Sequence, residues 1–202
     1  SQEAAKMLAL ASEVTQQWRL SSLNQRVSAV RQLLAKIATV EIVDELADDL
    51  NQTLASARAQ LIAIEKRLKK PQVLPGPTGE SNTLHLEPRG VLVTFADKEV
   101  TFEYWTLSIV TALATGNTVI AVVSDLFYEE ALAFKDKFES TGQKAGVFQV
   151  ARLKHLEALL EHQDIAGMVV DSNTSRIARF VQKMASREGA ILPVITAEHN
   201  DN

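Results

Sequence analysis

Residues 90–123 read GVLVTFADKEVTFEYWTLSIVTALATGNTVIAVV. Two short apolar runs rich in β-branched residues, Val91–Phe95 and Thr118–Val123, enclose a stretch whose apolar residues fit a helix ending near Ala114. A strand, a helix and a second strand joined by short turns form a βαβ unit, which requires parallel pairing and a right-handed crossover. The alternation continues downstream. Helices are expected over Leu126–Ser140, Leu153–His162 and Thr174–Arg187, and strands over Val147–Val150, Met168–Val170 and Ile191–Ile195. Gly116, Gly142 and Gly189 stand where helices end, as the left-handed position after a helix favours. The expected fold is α/β: a Rossmann-like parallel sheet of about five strands with flanking helices, spanning residues 90–202.

Upstream of Gly90 the pattern is different. Residues 1–70 read as helices only. Ala4, Met7, Leu8, Ala11, Val14 and Trp18 form one stripe, and Leu23, Val27, Val30, Leu34 and Ile37 a second. Ser22 with Gln25 three residues on has the form of a capping box. A third helix is expected from about Ile42 to Lys69, with Leu46, Leu50, Leu54, Leu61 and Leu68 inward. Its acidic start (Asp44, Glu45, Asp48, Asp49) and basic end (Lys66, Arg67, Lys69, Lys70) complement the helix dipole and read as solvated faces. Pro71 ends the helical region. Residues 71–89, dense in turn formers and carrying the alternation Thr83-Leu84-His85-Leu86-Glu87, read as a short β-flap resembling an oligomerisation arm. Leu84 and Leu86 are its candidate anchors for a partner.

Composition narrows the function classes. The 202 residues are 46 % hydrophobic with a net charge of −4 and no cysteine. A core can be buried, and disulfides, thiolate metal sites and cysteine nucleophiles are absent from this chain. No basic stripe interleaved with aromatics marks a nucleic-acid binder. No signal peptide or membrane-length apolar run stands out, so a cytoplasmic location is expected, with a membrane-peripheral parent left open. The chain opens on a helical pattern and stops at Asn200-Asp201-Asn202 just after a strand. A piece of a longer polypeptide is the expectation.

A doubly wound sheet binds ligands outside the carboxyl ends of its strands, yet the glycine-rich dinucleotide fingerprint and the P-loop are both missing. His155 and His162, seven apart on one expected helix, lack the i, i+4 spacing of a metal pair; with His85 and His199 they read as surface residues. Ser172 and Thr174 after Asp171 read as a helix N-cap, or as the remnant of a phosphate-binding turn. Trp18 and Trp105 lie on apolar faces and are expected in the core.

Four segments carry a family resemblance. Pro88-Arg89-Gly90-Val91 and Ala112-Leu113-Ala114-Thr115-Gly116-Asn117-Thr118-Val119 resemble the "P-x-G-V" strand start and "A-L-A-x-G-N-x-V" turn of the aldehyde dehydrogenase cofactor domain. Gly146–Val150 resembles that family's "G-V-F-x-V" strand, and His162–Val169 its "H-x-D-I-x-x-V" approach to the cofactor turn. The resemblance implies an NAD-binding architecture, and this sequence departs from it at the positions that would do the chemistry. A Pro-Trp-Asn segment whose Asn serves the substrate oxyanion is replaced by Asp97, Lys98 and Glu99. A Lys-Pro-Ser-Glu segment whose Lys holds the adenosine ribose is replaced by Val122, Val123, Ser124 and Asp125. The cofactor turn loses its glycine and becomes Val170-Asp171-Ser172-Asn173-Thr174. A carboxylate near a developing oxyanion or a pyrophosphate repels it.

The turn-rich flap joined to such a domain resembles the C-terminal domain of long-form proline utilization A proteins. That resemblance implies a non-catalytic domain of a bifunctional parent, which uses FAD and NAD to convert proline to glutamate through a tunnel. The chain itself is then expected to hold no cofactor or metal. Its partner is the aldehyde dehydrogenase domain of the same polypeptide, with self-association through the flap also open. The alternative is a degenerate nucleotide- or small-ligand-binding regulatory module.

Overall fold

The computed structural model describes residues 1–40, 50–69, 88–96, 101–171 and 194–197. Three helices come first: α1 (Gln2–Leu20), α2 (Leu23–Ile37) and α3 (Leu50–Lys69). They are followed by β1 (Val91–Ala96), α4 (Phe102–Ala114), β2 (Thr118–Val123) and α5 (Tyr128–Glu139). The remaining elements are β3 (Phe148–Arg152), α6 (Leu156–Leu160), β4 (Ile165–Asp171) and β5 (Val194–Ala197). The five strands form one sheet in the order β3-β2-β1-β4-β5, and every pairing is parallel. The expected Rossmann-like α/β class is therefore the observed one. The flap, with Leu84 and Leu86, lies outside the described residues, as do Glu99, Ser172 and the helix expected over 174–187.

Strand alternation divides the core. Val91, Val93 and Phe95 of β1, Ile120 and Val122 of β2, and Met168 of β4 pack with Leu159 and Leu160 of α6 on one face. Leu92, Val119, Ala121, Val123, Phe148 and Val150 pack on the other with α2, α3, α4 and α5. Side chains two residues apart share a face, so each strand serves both layers. Aromatic rings fill the thicker layer: Phe102, Trp105 and Phe134 lie with centroids 5.5–6.0 Å apart. Trp18 and Phe148 each meet Phe138 edge-on at 6.1 Å. Both tryptophans are buried, as expected.

The first helix belongs to both layers. Ala4, Met7, Leu8 and Ala11 join the α6 face, whereas Val14 and Trp18 join the opposite one. It makes this passage beside the amino ends of β2 and β3. Thr15 hydrogen-bonds Thr118 at 2.8 Å, and the buried Gln149 amide donates to the Met7 carbonyl at 2.8 Å. Gly146, at φ +101°, lets the chain pass α1 so closely that a Cβ there would lie 2.8 Å from the Leu10 carbonyl oxygen.

The second helix starts with the expected capping box, Ser22 and Gln25 satisfying each other's backbone N–H. One turn in, Arg26 reaches across to the carboxyl ends of two helices. Its Nε donates to the Ala114 carbonyl of α4 at 3.0 Å, and its Nη1 donates to the Ser21 carbonyl that follows α1. A cation at two helix C-termini is favoured by their dipoles. Burial lowers the guanidinium pKa from its usual value, but arginine remains charged.

Some boundaries differ from the sequence expectation. Burial on α3 centres on Thr53, Leu54, Ala57, Leu61 and Ile64, with Leu50 and Leu68 only packed against its ends. Thr53, Ala57 and Ile64 share this face with Leu54 and Leu61, and periodicity that counts leucines overlooks them. The helix expected from Leu126 is preceded by a 3-10 turn, Asp125–Phe127. The one expected over Leu153–His162 breaks into a 3-10 turn at Leu153–His155 and the five-residue α6. His155 and His162 thus do not share a helix. The fourth strand begins three residues early, at Ile165, because pairing with Val91 and Leu92 draws Ile165–Gly167 into the sheet.

Candidate functional site

Connections from β1 run toward β2 and β3 on one side, and the chain then crosses to β4 and β5 on the other. In an open α/β sheet such a reversal marks the usual ligand position, at the carboxyl ends of the two strands that flank it, here β1 and β4. Asp171 ends β4, its backbone in register with Ala197 of β5. Val122 lies two strands away, paired with Phe95 on one side and Ala151 on the other. Its side chain is 0 % exposed and belongs to the α6-side core. The position that the resemblance gives to a ribose-holding lysine therefore offers no side-chain donor.

What the described carboxyl ends do assemble is a cluster that sequence reading missed. Asp125 opens the 3-10 turn after β2, Tyr128 opens α5, and Arg152 ends β3. Arg152 Nη1 donates to Asp125 Oδ1 at 2.5 Å, and Arg152 Cζ stands 3.8 Å over the Tyr128 ring. The guanidinium thus engages a carboxylate at its edge and an aromatic ring at its face. The only signal in the sequence was positional: an arginine at the carboxyl end of an expected strand.

Among the described residues, no group of three or more histidine or acidic side chains is placed to hold a metal. His162 sits beside Asp164 at 3.6 Å and is partly exposed. No helix there is long and apolar enough to cross a membrane.

The residues behind the family resemblance gather at the opposite, amino edge of the sheet. Asn117, 3 % exposed, accepts through Oδ1 from the backbone N–H groups of Arg89 (2.6 Å) and Gly90 (3.1 Å). Its Nδ2 donates to Thr115 Oγ1 at 3.1 Å. Gly116, at φ +95°, makes the turn, and a Cβ there would lie 3.2 Å from Pro88 Cβ. The Pro88–Val91 and Ala112–Val119 motifs are therefore two halves of one turn lock. They align the starts of β1 and β2, at the edge of the sheet opposite the carboxyl ends of the strands.

Known proteins share this architecture. The chain is 23 % identical over 203 residues to the NADP(+) succinate-semialdehyde dehydrogenase of Deinococcus radiodurans, a match covering 93 % of this chain and 42 % of that one. Its fold resembles proline utilization A (PutA) of Bradyrhizobium japonicum with a TM-score of 0.78 and 19 % identity, over 96 % of this chain and 22 % of the other. It resembles an aldehyde dehydrogenase of Bartonella henselae with a TM-score of 0.75 and 16 % identity, over 96 % of this chain and 44 % of the other. The chain thus spans less than half the length of each of these proteins. The aldehyde dehydrogenase family profile matches residues 1–195, motifs and core together, and the chain belongs to that family.

Proposed function

We propose that this chain is a non-catalytic structural and interaction domain of a bifunctional proline dehydrogenase and L-glutamate γ-semialdehyde dehydrogenase. In that setting it packs on the catalytic aldehyde dehydrogenase domain of the same polypeptide, supports its active site and helps close the tunnel between the two sites. FAD and NAD belong to the parent's catalytic domains, and the location is cytoplasmic. The observation that carries the reading is the burial of Val122 near the carboxyl end of β2. Val122 is wholly inside the core where a cofactor-binding lysine is called for. The likeness to the PutA fold supports the choice of parent. Leu84 and Leu86 of the flap are the proposed anchors, since an edge strand of this kind is normally paired or covered.

The test is deletion of this domain from the parent, followed by three rates: proline oxidation, semialdehyde oxidation and the coupled conversion. Proline oxidation is expected to persist. Semialdehyde oxidation is expected to fall, because the interface that keeps solvent from that site is lost. The coupled reaction is expected to develop a lag. Retention of all three rates without a lag refutes the proposal. A second reading, a regulatory nucleoside- or nucleotide-binding module, draws on the carboxylate that Asp125 retains beyond β2. Tight NAD binding by the isolated chain favours it.

A further inference from the structure

At the amino edge of the sheet, α1, α2 and the turn between α5 and β3 enclose a groove of about 520 Å³. That volume suits a small-molecule ligand. Its floor is apolar and buried, made by Val14, Trp18, Ala29 and Val147. Its walls are mostly amides and hydroxyls. Among the described residues that line it, Lys144 is the one charged group, and none is an aspartate or glutamate. Lys144 Nζ donates to Gln17 Oε1 at 2.7 Å. With that oxygen engaged, the polar atom left on the Gln17 amide is the donor Nε2. Among the described residues, neither Nε2 nor the ammonium has a carboxylate partner.

The turn that carries Lys144 is set by two glycines, Gly142 at φ +94° and Gly146 at φ +101°. Gly146 is wedged against Leu10 and Val14, whereas a Cβ on Gly142 would meet nothing within 4 Å. The turn is thus anchored at one end and leaves the groove open at the other. Trp18 is fixed as well: its Nε1 donates to the Leu113 carbonyl at 3.1 Å, and its ring meets Phe138 edge-on. The floor and the backbone of the lysine are therefore ordered before a ligand arrives, which lowers the cost of binding.

We infer that this groove binds a small organic carboxylate with a flat apolar body. The carboxylate accepts a charge-assisted hydrogen bond from Lys144 and a second bond from Gln17 Nε2. The apolar body covers Val14, Trp18 and Val147. An amino group on the ligand finds no anion in the lining, so amines and amino acids are disfavoured. The groove lies at the edge of the sheet opposite the carboxyl ends of the strands, and it does not depend on the role proposed in the parent.

Phenylacetate is the probe, with phenylacetamide and phenethylamine as its neutral and cationic counterparts. The chain has two tryptophans, and Trp105 does not line the groove. The two indole N–H resonances in an NMR titration therefore separate binding in the groove from general effects. Phenylacetate is expected to shift the Trp18 indole saturably at roughly millimolar concentration and to leave Trp105 in place. Phenylacetamide is expected to bind roughly tenfold more weakly, the size of one charge-assisted hydrogen bond, and phenethylamine not at all. Lys144→Met is expected to weaken phenylacetate by the same factor, and Gln17→Met by less. Ser28→Trp fills the groove from an exposed wall position and is expected to abolish binding. The inference is overturned if phenylacetate moves neither indole or both alike, or if phenethylamine binds as tightly as phenylacetate. Undiminished binding in Lys144→Met or Ser28→Trp overturns it as well. The ligand series on the unaltered chain decides the matter even where a variant fails to fold.

Discussion

Replacing Asn117 by alanine tests whether the family motifs serve the fold at the amino edge of the sheet. The amide is 3 % exposed and is the acceptor for the backbone N–H groups of Arg89 and Gly90. Alanine removes that acceptor, and both donors remain in a partly buried turn. A buried donor left without a partner costs about 1–3 kcal/mol. Partial access to water points to the lower half of that range for each, and loss of the Thr115 contact adds to it. The two orphaned donors alone account for about 2–4 kcal/mol, which is the minimum expected. For a chain of this size that corresponds to a fall in Tm on the order of 5–10 °C. Urea unfolding followed by circular dichroism reads the change as a lower midpoint at constant slope. If Asn117→Ala unfolds within about 0.5 kcal/mol of the unaltered chain, a margin typical of surface substitutions, the turn lock is not a stabilising element and the reasoning fails.

Three further outcomes follow from the same packing. Gly146→Ala combines a positive φ with a Cβ 2.8 Å from the Leu10 carbonyl oxygen and is expected to cost about 2–4 kcal/mol by urea unfolding. Arg26→Met removes donors from the Ser21 and Ala114 carbonyls and is expected to cost about 2–3 kcal/mol. Added NaCl should reduce that cost only in part, since it screens the helix-dipole contribution and leaves the hydrogen bonds to the carbonyls. Glu65 is held below its ordinary pKa chiefly by a hydrogen bond from Lys69; desolvation opposes it next in size, and a hydrogen bond from Arg31 adds a smaller lowering. A depressed folded pKa gives stability that is present above the unfolded value and lost as pH falls through the folded one. The stability difference between the unaltered chain and Glu65→Gln should therefore be small above the ordinary glutamate range and disappear in acid below it, as pH-dependent urea midpoints will show.

Among the described residues, the sequence by itself determined the alternation of strands and helices after Gly90, though not all of their boundaries, and with it a parallel α/β sheet. It also determined the Ser22–Gln25 cap, the left-handed turns at Gly116 and Gly142, and the family motifs. These are legible because they depend on near neighbours: side-chain period, a cap three residues long, a glycine where φ must be positive. The same locality explains what was not legible. Strand order decides that β4 lies against β1, and pairing there lengthens β4 back to Ile165 beyond its apolar run. Periodicity marked one stripe on α1, but only packing divides that stripe between the two faces of the sheet. Asn117 and its backbone partners are 27 and 28 residues apart, and Asp125 and Arg152 are 27 apart. The sequence marked Val122 as a departure from the family pattern, whereas its complete burial follows from β1 and β3 flanking it and α6 covering its face. Contacts of that span exist only once parallel strands set the two ends of the sheet, one carrying the Asn117 turn and the other the Arg152–Asp125 pair.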